Sequence, residues 1–189
     1  MTTSKSSVQL GAGSSLARPS PATRLLNPPT VIEYQNMRFL VTDAPSDSNI
    51  ALYVAEFERQ HVKDVVRVCD PTYGTTPLTD LGIAVHDWPF ADGEGPPSNI
   101  MNDWLALVKK RFGTDSGKKP AEAIVVHCVA GLGRAPLLVA LALMDVGLSA
   151  EESIEYVRKY KRHALNATQV RYILSLKKKN SRKGKCNIM

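Results

Sequence analysis

Cysteine is scarce in this sequence, and the three that occur, Cys69, Cys128 and Cys186, lie far apart. A small, odd number without a CxxC or CxxxH cluster indicates a reducing compartment and excludes a disulfide framework. The same spacing lacks the ligand pattern of a metal site, so we expect neither a metal nor another cofactor.

Long apolar runs are also missing. No stretch approaches the roughly 20 residues that a membrane-spanning helix requires. The N-terminal residues lack the apolar segment of a secretory signal and the second-position glycine that N-myristoylation needs. With 43% hydrophobic and 22% charged residues, the composition is that of a globular domain that buries a core.

Acidic residues are absent from the C-terminal end. From Tyr156 onward the sequence has eleven Lys or Arg and no Asp or Glu, so the residues before it carry a net charge of −5 although the whole chain carries +6. This local charge disfavours a nucleic-acid surface across the domain. It favours a local contact with something anionic, such as a membrane surface.

The pattern of the sequence divides the chain into three segments. Residues 1–29 are rich in Ser, Ala, Gly, Pro and Thr without a hydrophobic period, which predicts a disordered arm. Residues 30–176 form one domain, and residues 177–189 form a polybasic tail. Strand and helix patterns alternate within the domain, which predicts an α/β fold with a central, mostly parallel, twisted sheet flanked by helices.

One stretch is specific enough to indicate chemistry. A β-branched strand at residues 123–127 ends in His127 and Cys128, a loop with two glycines follows, and Arg134 opens a long apolar helix. Such a strand, loop and helix direct backbone N–H groups and the positive end of the helix dipole at one place. We therefore predict an oxyanion site, and a cysteine followed by arginine six positions later is typical of cysteine-dependent phosphatases.

The residue types in this loop fit phosphoryl transfer. Cys128 attacks phosphorus as a thiolate, which the loop amides stabilise. The planar guanidinium of Arg134 holds two phosphate oxygens at once. His127 is expected to face away from the phosphate and to hydrogen-bond to the loop; an ordinary buried histidine is the alternative. The predicted phosphate-binding residues are Val129, Ala130, Gly131, Leu132, Gly133 and Arg134.

The leaving oxygen needs a proton, which a carboxylic acid on a nearby loop can supply. The loop after a short strand at residues 82–86 offers Asp87, Asp92 and Glu94. Asp92 precedes Gly93, where the loop can bend, and is the predicted general acid, with a solvated aspartate as the alternative. Asp87 still belongs to the strand and is expected to make a structural hydrogen bond.

Residues 127–136, 87–93, 36–40 and 66–69 resemble the phosphatases of regenerating liver, which are prenylated dual-specificity members of the protein tyrosine phosphatase superfamily. The resemblance extends from about Val31 to the C-terminus. It implies a cysteine-dependent dual-specificity phosphatase fold. It also implies the catalytic roles already predicted for the cysteine, the arginine and the second loop aspartate; the family often has two adjacent aspartates there, and here the first is Ala91.

The resemblance implies two further properties of the site. Ala135 stands where most tyrosine phosphatases have Ser or Thr, and without that hydroxyl the hydrolysis of the phosphocysteine is expected to be slow, as it is in the family. In the family, the cysteine at the position of Cys69 forms a reversible disulfide with the nucleophile. A plain buried cysteine is the alternative.

The C-terminus carries an expected membrane anchor. Cys186 and the three residues after it match a prenylation pattern whose terminal Met favours farnesyl, and methylation accompanies that modification in our prediction. A polybasic run next to one prenyl chain strengthens binding to an anionic leaflet. We expect the cytoplasmic face of the plasma membrane and endosomes.

Two classes of function follow. The first is a phosphatase acting on phosphoproteins or phosphoinositides. The second is a module that binds CBS-domain magnesium transporters, gated by the phosphocysteine; Arg162 matches a basic position that relatives use, although they often have Gly where this chain has His163. Relatives also imply a homo-oligomer, a trimer. An RNA 5′-phosphatase is disfavoured because the basic charge is local, so no nucleic-acid partner is expected.

Overall fold

The structure is a computed structural model that describes residues 25–113 and 121–183, with side chains up to residue 176. Within these residues the helices and strands follow one another in the order β1 (Thr30–Tyr34), β2 (Met37–Thr42), α1 (Ile50–Arg59), β3 (Val62–Arg67), α2 (Thr76–Thr79), β4 (Ala84–Asp87), α3 (Ser98–Phe112), β5 (Ala123–His127), α4 (Arg134–Asp145), α5 (Ala150–Tyr160) and α6 (Ala167–Lys183).

The five strands form one sheet in the order β1-β2-β5-β3-β4. Strand β1 pairs antiparallel with β2, and the remaining neighbours are parallel. The predicted mostly parallel sheet is therefore confirmed. The carboxyl ends of β2, β5 and β3 lie side by side, and open α/β sheets bind ligands at that edge.

Helices cover both faces of the sheet, which explains why β5 is apolar throughout. All five residues of β5 are buried, as expected for a parallel strand between two helical layers. One core cluster contains Trp104 from α3 together with most of α4, and the other contains Phe57 from α1 and Leu78 from α2. The central strand is thereby fixed from both sides, and so is the loop that leaves it.

Helix α4 is buried along most of its length. Residues 134–143 are all buried, and the indole Nε1 of Trp104 donates to the carbonyl oxygen of Leu138 at 2.7 Å. A helix that is apolar all round belongs in the interior, so the prediction for this segment is confirmed. Its N-terminus points at the carboxyl edge of the sheet, directly after the cysteine loop.

The two ends of the predicted domain extend beyond residues 30–176. Leu25 packs against the α1 side of the core, and the side-chain amide of Asn27 donates to the Asp43 carboxylate at 3.0 Å. Helix α6 continues to Lys183, so the polybasic run begins within a helix. Residues 1–24 and Cys186 lie outside the described residues. Among the helices that the structure does describe, none combines the length and hydropathy that crossing a bilayer requires.

Candidate active site

Neighbouring segments hold the loop between β5 and α4 in place through hydrogen bonds to its carbonyl groups. The carbonyl oxygen of Val129 accepts from the Ala44 amide at 3.1 Å, and that of Leu132 accepts from the Leu165 amide at 2.9 Å. Among the described residues, the amide N–H groups of residues 129–133 donate no hydrogen bond. They are therefore available for an anion, next to the N-terminus of α4.

Gly131 makes the tight path of this loop possible. Its φ is +67°, and a Cβ at this position would lie 2.5 Å from the carbonyl oxygen of Thr42. A side chain would therefore meet backbone and would also adopt a left-handed conformation that is unfavourable for L residues. The close approach of the loop to the end of β2 depends on this glycine.

A cavity of about 290 Å³ lies over the loop. It brings together seven of the residues predicted from the sequence and three that were not. Its lining residues are Asp92, Cys128, Val129, Ala130, Leu132, Gly133, Arg134, His163, Asn166 and Gln169. In the two described stretches of the chain, no three His, Cys, Asp or Glu side chains form a cluster suited to a metal ion.

The guanidinium of Arg134 is fixed in place by hydrogen bonds from one nitrogen, Nη1. Nη1 donates to the carbonyl oxygens of Val68 and Phe90, both at 3.1 Å, and the residue is 7% exposed. Nε lies 3.2 Å from Oδ1 of Asp92; the two groups form an ion pair without hydrogen-bond alignment. The edge formed by Nε and Nη2 is left to face an anion, which is the bidentate geometry that arginine offers a phosphate.

Asp92 and Asp87 occupy different environments, as predicted. The Asp92 side chain is 75% exposed at the cavity and accepts from the Gly93 amide at 3.0 Å. The Asp87 carboxylate ends β4 and accepts from Arg67, with Nη2 at 2.7 Å from Oδ2. That hydrogen bond lowers the pKa of Asp87. The hydrogen bond predicted for Asp87 is confirmed, and Asp92 is the exposed carboxylate that lines the cavity.

His127 makes a different contact from the one predicted. The sequence predicted a hydrogen bond to the phosphate loop, and this is wrong: Nε2 lies 2.9 Å from the hydroxyl of Tyr73, in the segment between β3 and α2. The imidazole is completely buried, and Nδ1 has no partner among the described residues. Burial lowers the pKa of His127 to about 4, with the charge on Arg67 as a second cause. The ring is therefore neutral near pH 7.

Cys69 and Cys128 are both buried free thiols. They follow the adjacent parallel strands β3 and β5, which stay paired at their ends because the Val68 amide donates to the His127 carbonyl at 3.0 Å. Burial raises the pKa of the Cys69 thiol, while the charge on Arg134 acts in the opposite direction. Cys128 acts in the same direction as burial and raises the pKa of Cys69.

Gln169 is a site residue that the sequence did not predict. It begins α6 in a reciprocal cap: its amide donates to Oδ1 of Asn166 at 2.8 Å, and its Oε1 accepts from the Asn166 amide at 3.1 Å. The side chain is completely buried, and Nε2 has no hydrogen-bond partner within the described part of the chain. The spacing of Asn166 and Gln169 predicts a helix start, but only the tertiary fold shows that this start lies at the cavity.

Comparison with known proteins agrees with this geometry. The protein-tyrosine phosphatase family model matches residues 46–175. The chain is 44% identical over 165 residues to the probable protein tyrosine phosphatase type IVA A of Dictyostelium discoideum, covering 87% of this chain and 96% of that protein. It is 42% identical over 166 residues to the PRL-1 phosphatase of Drosophila melanogaster, covering 85% and 92% of the two chains.

Solved structures extend the comparison to the fold. A protein tyrosine phosphatase from Leishmania major superimposes with a TM-score of 0.69 at 41% identity, over 77% of this chain and 96% of that one. Kinase-associated phosphatase superimposes with a TM-score of 0.62 at 16% identity, over 83% and 98% of the two chains. The second likeness, at this low identity, bears on the fold alone.

Fold and site together define a cysteine-dependent protein-tyrosine or dual-specificity phosphatase. Within that class, the chain belongs to the type IVA protein tyrosine phosphatases, the phosphatases of regenerating liver. The resemblance seen in the sequence is thereby confirmed.

Proposed function

We propose that this phosphatase hydrolyses phosphoprotein monoesters in two steps through a phosphocysteine on Cys128. In the first step, Sγ attacks phosphorus, the bond from phosphorus to the leaving oxygen breaks, and Asp92 donates a proton to that oxygen. In the second step, water attacks the phosphocysteine, Asp92 takes a proton from the water, and the thiolate leaves. The convergence of Cys128, Arg134 and Asp92 in one cavity at the N-terminus of α4 carries this proposal.

The loop amides and Arg134 supply electrostatic stabilisation. Charge moves onto the phosphoryl oxygens in the transition state, and fixed donors aimed at those oxygens lower the barrier without rearranging. Asp92 lies 3.2 Å from Nε of Arg134. A phosphate held by this guanidinium therefore lies next to the carboxyl group of Asp92, which is the position a general acid needs to reach the leaving oxygen.

The second step is the slower one in our proposal. Ala135 is completely buried directly after Arg134 and has no hydroxyl to stabilise the departing thiolate. Gln169 is the other side chain at this step: its unpartnered Nε2 offers a donor to the attacking water or to a phosphate oxygen. The phosphocysteine then accumulates during turnover.

Phosphate release from aryl phosphates and phosphopeptides tests the proposal. Cys128→Ser should abolish release, and Asp92→Asn should lower kcat/KM by about 10²- to 10⁴-fold for poor leaving groups, the usual contribution of a general acid. Glu94→Gln, an exposed change in the same loop, is the matched control and should retain activity. Equal rates for Asp92→Asn and the wild type would remove Asp92 from the mechanism.

A membrane location is a second part of the proposal, and it rests on the sequence. Cys186 lies in a prenylation pattern, and the basic residues before it begin within α6. Each Lys or Arg near an anionic leaflet contributes about 1 kcal/mol, so the lipid and the basic run act together. Cys186→Ser should move the protein from the membrane fraction to the cytosolic fraction. Cys69→Ser should leave it on membranes, and an unchanged distribution for Cys186→Ser would contradict lipid anchoring.

Redox control is a third part. Peroxide oxidises the Cys128 thiolate to a sulfenic acid, and the Cys69 thiol then displaces water to form a disulfide. The two thiols follow adjacent strands, which supports the proposal. Peptide mapping after mild peroxide treatment should find the Cys69–Cys128 disulfide. The Cys69→Ser variant should not form this disulfide, and after peroxide treatment a thiol reductant should not restore its activity. Absence of the link in the wild type would exclude this control.

The binding-module function stays a prediction. Arg162, which the resemblance links to a CBS-domain partner, is exposed on the turn between α5 and α6. The trimer likewise stays a prediction. The phosphatase function is favoured because a complete set of catalytic groups lines one cavity.

A further inference from the structure

His163 adopts a backbone conformation that a histidine does not favour. Its φ is +62°, in the left-handed region that costs energy for residues with a Cβ. Residues 161–164 form a turn in which the Ala164 amide donates to the Lys161 carbonyl at 3.3 Å. His163 is the third residue of this turn, a position at which positive φ favours Gly or Asn. Strain of this kind concentrates at functional sites.

The turn is held rigidly against the phosphate loop. Arg158 donates through Nε to the Ala164 carbonyl at 3.0 Å and through Nη2 to the Leu165 carbonyl at 2.9 Å. The Leu165 amide donates to the carbonyl of Leu132 in the phosphate loop at 2.9 Å. These bonds fix the backbone at His163 relative to Cys128.

The imidazole of His163 lines the catalytic cavity and is exposed. Within the part of the chain that the structure describes, it makes no hydrogen bond or ion pair. The ring therefore contributes nothing to holding the turn, and a glycine would fit the backbone better. The side chain is available to a ligand that occupies the cavity.

A second cavity, of about 320 Å³, lies next to the first. The two share Ala130 and Leu132 as lining residues, and Lys161 lines the second. The turn at residues 161–164 thus borders both cavities, with His163 on the catalytic side and Lys161 on the other. Together the two neighbouring cavities, which we call the groove, offer more space than a single phosphate group needs.

The charges along this groove favour a peptide over a polyanion. Lys161 and Arg162 make the turn basic, and no acidic residue follows Glu155 in the sequence. The second cavity also contains the Asp43 carboxylate, which accepts from the Tyr53 hydroxyl at 2.5 Å. A headgroup with several phosphates would be repelled there, whereas a polypeptide with one acidic side chain beside the turn would not.

We propose that His163 is a specificity-determining residue that recognises an acidic side chain flanking the phosphorylated residue of a phosphopeptide substrate. This inference rests on the proposed phosphatase function and names the substrate class of the same site. The rigid turn holds the ring at the cavity wall, so recognition does not require the loop to become ordered on binding.

The test is a set of phosphotyrosine peptides that carry Glu or Gln, one position at a time, at the two residues on either side of the phosphotyrosine. The full-length wild type should prefer Glu at one position or more by about two- to fivefold in kcat/KM, the range of a single exposed polar contact. His163→Gly should bring that ratio close to one, and His163→Lys, which keeps an N–H donor on the turn, should retain the preference.

His61→Gly is the matched control. His61 is also an exposed histidine with positive φ, +54°, but it lies before β3, at the end of the sheet away from the site. Both glycine variants relieve the same kind of strain, so His61→Gly should keep the preference for Glu and should report any effect of the relief on unfolding temperature. Loss of the preference in both variants would overturn the proposal.

Other outcomes distinguish failure of the proposed role of His163 from failure of the proposed phosphatase function. Equal rates on Glu and Gln peptides by an active wild type would overturn the role of His163 and leave the phosphatase function standing. If His163→Gly instead lowers kcat/KM for a soluble short-chain phosphoinositide and leaves the peptide ratio unchanged, the lipid is the recognised class and the peptide proposal is overturned. No phosphate release from any substrate, para-nitrophenyl phosphate included, would overturn both.

Discussion

The Tyr73 hydroxyl lies 2.9 Å from Nε2 of His127, the residue before Cys128. Arg67 donates to the Tyr73 carbonyl at 2.8 Å and to both oxygens of Asp87. Asp87 ends β4, from which the loop that carries Asp92 departs. A hydrogen-bond network that is buried at His127, Tyr73 and Arg67 therefore connects the strand before the proposed nucleophile with the strand before the proposed general acid.

Tyr73→Phe should weaken both stability and catalysis. Without the hydroxyl, neither nitrogen of the buried His127 ring keeps a described partner, and an unsatisfied buried polar group costs about 1–3 kcal/mol. We expect a loss of that size in the free energy of unfolding, measured in urea, together with a lower kcat on an aryl phosphate because the ring beside Cys128 loses its anchor.

Tyr156→Phe is the control for this change. Its hydroxyl donates to the Glu33 carbonyl in β1 at 2.6 Å, and neither residue lines the catalytic cavity. It should lose stability while keeping kcat. A Tyr73→Phe enzyme whose kcat matches the wild type would mean that the network holds the fold but does not position the nucleophile.

The buried His127 also makes folding stability depend on pH. Its pKa is about 4 in the folded protein against an ordinary 6.5, because burial disfavours the charged ring. Between these two pH values the unfolded chain binds more protons than the folded protein. The contribution of His127 to the free energy of unfolding is therefore fully present above pH 6.5 and decreases as the pH drops, with a loss of about 3 kcal/mol at pH 4. The lowered pKa of Asp87 acts in stronger acid: its contribution is complete above about pH 4 and is lost below.

Urea unfolding at intervals from pH 7 to pH 4 measures this slope. His127→Gln removes the titrating group and should flatten the curve between pH 6.5 and 4, whatever its stability at pH 7. His61→Gln, at an exposed histidine, should keep the wild-type slope. Parallel curves for the wild type and His127→Gln would assign the acid sensitivity to other groups.

Much of the fold and the centre of the site were predictable because their signals are local. Three of these signals act within a few residues: the run of β-branched residues before Cys128, the apolar helix after Arg134, and the capping pair Ser149 and Glu152. In the capping pair, the Ser149 side chain accepts from the Glu152 amide, and the Glu152 side chain accepts from the Ser149 amide. The structural hydrogen bond of Asp87 was also predictable, because a strand end holds the side chain in place, whereas the acid role of Asp92 stays a prediction.

The partners of these residues were not predictable. Tyr73 is 54 positions from His127 in the sequence, and Gln169 begins a helix whose packing against the phosphate loop leaves no mark on its own segment. The backbone conformation of His163 was not predictable either. Its residue type gives no indication of a positive φ, which comes from the turn and from the hydrogen bonds that Arg158 donates to it. Tertiary contacts decide all three.

Gly131→Ala should be strongly destabilising. The new Cβ would sit 2.5 Å from the Thr42 carbonyl oxygen at a φ of +67°, so the change adds a backbone clash to a left-handed penalty of about 1–2 kcal/mol. Gly82→Ala, at a φ of +72° with no atom within 4 Å of the new Cβ, carries the penalty alone. The difference between the two losses in unfolding free energy isolates the clash, and equal losses would show that the loop moves away from β2 at little cost.

Ala135→Ser should raise steady-state turnover. A hydroxyl beside Cys128 can donate to the departing thiolate, and one hydrogen bond of about 1.4 kcal/mol in the transition state gives about a tenfold faster second step. Stopped-flow measurement with an aryl phosphate separates the steps: the wild type should show a burst followed by slow turnover, and the variant should show a smaller burst and a faster steady state. Ala140→Ser, at another completely buried alanine of α4, should lose stability without this gain. An Ala135→Ser enzyme that binds substrate normally but turns over no faster would locate the slow step elsewhere, with water access to the phosphocysteine as the next candidate.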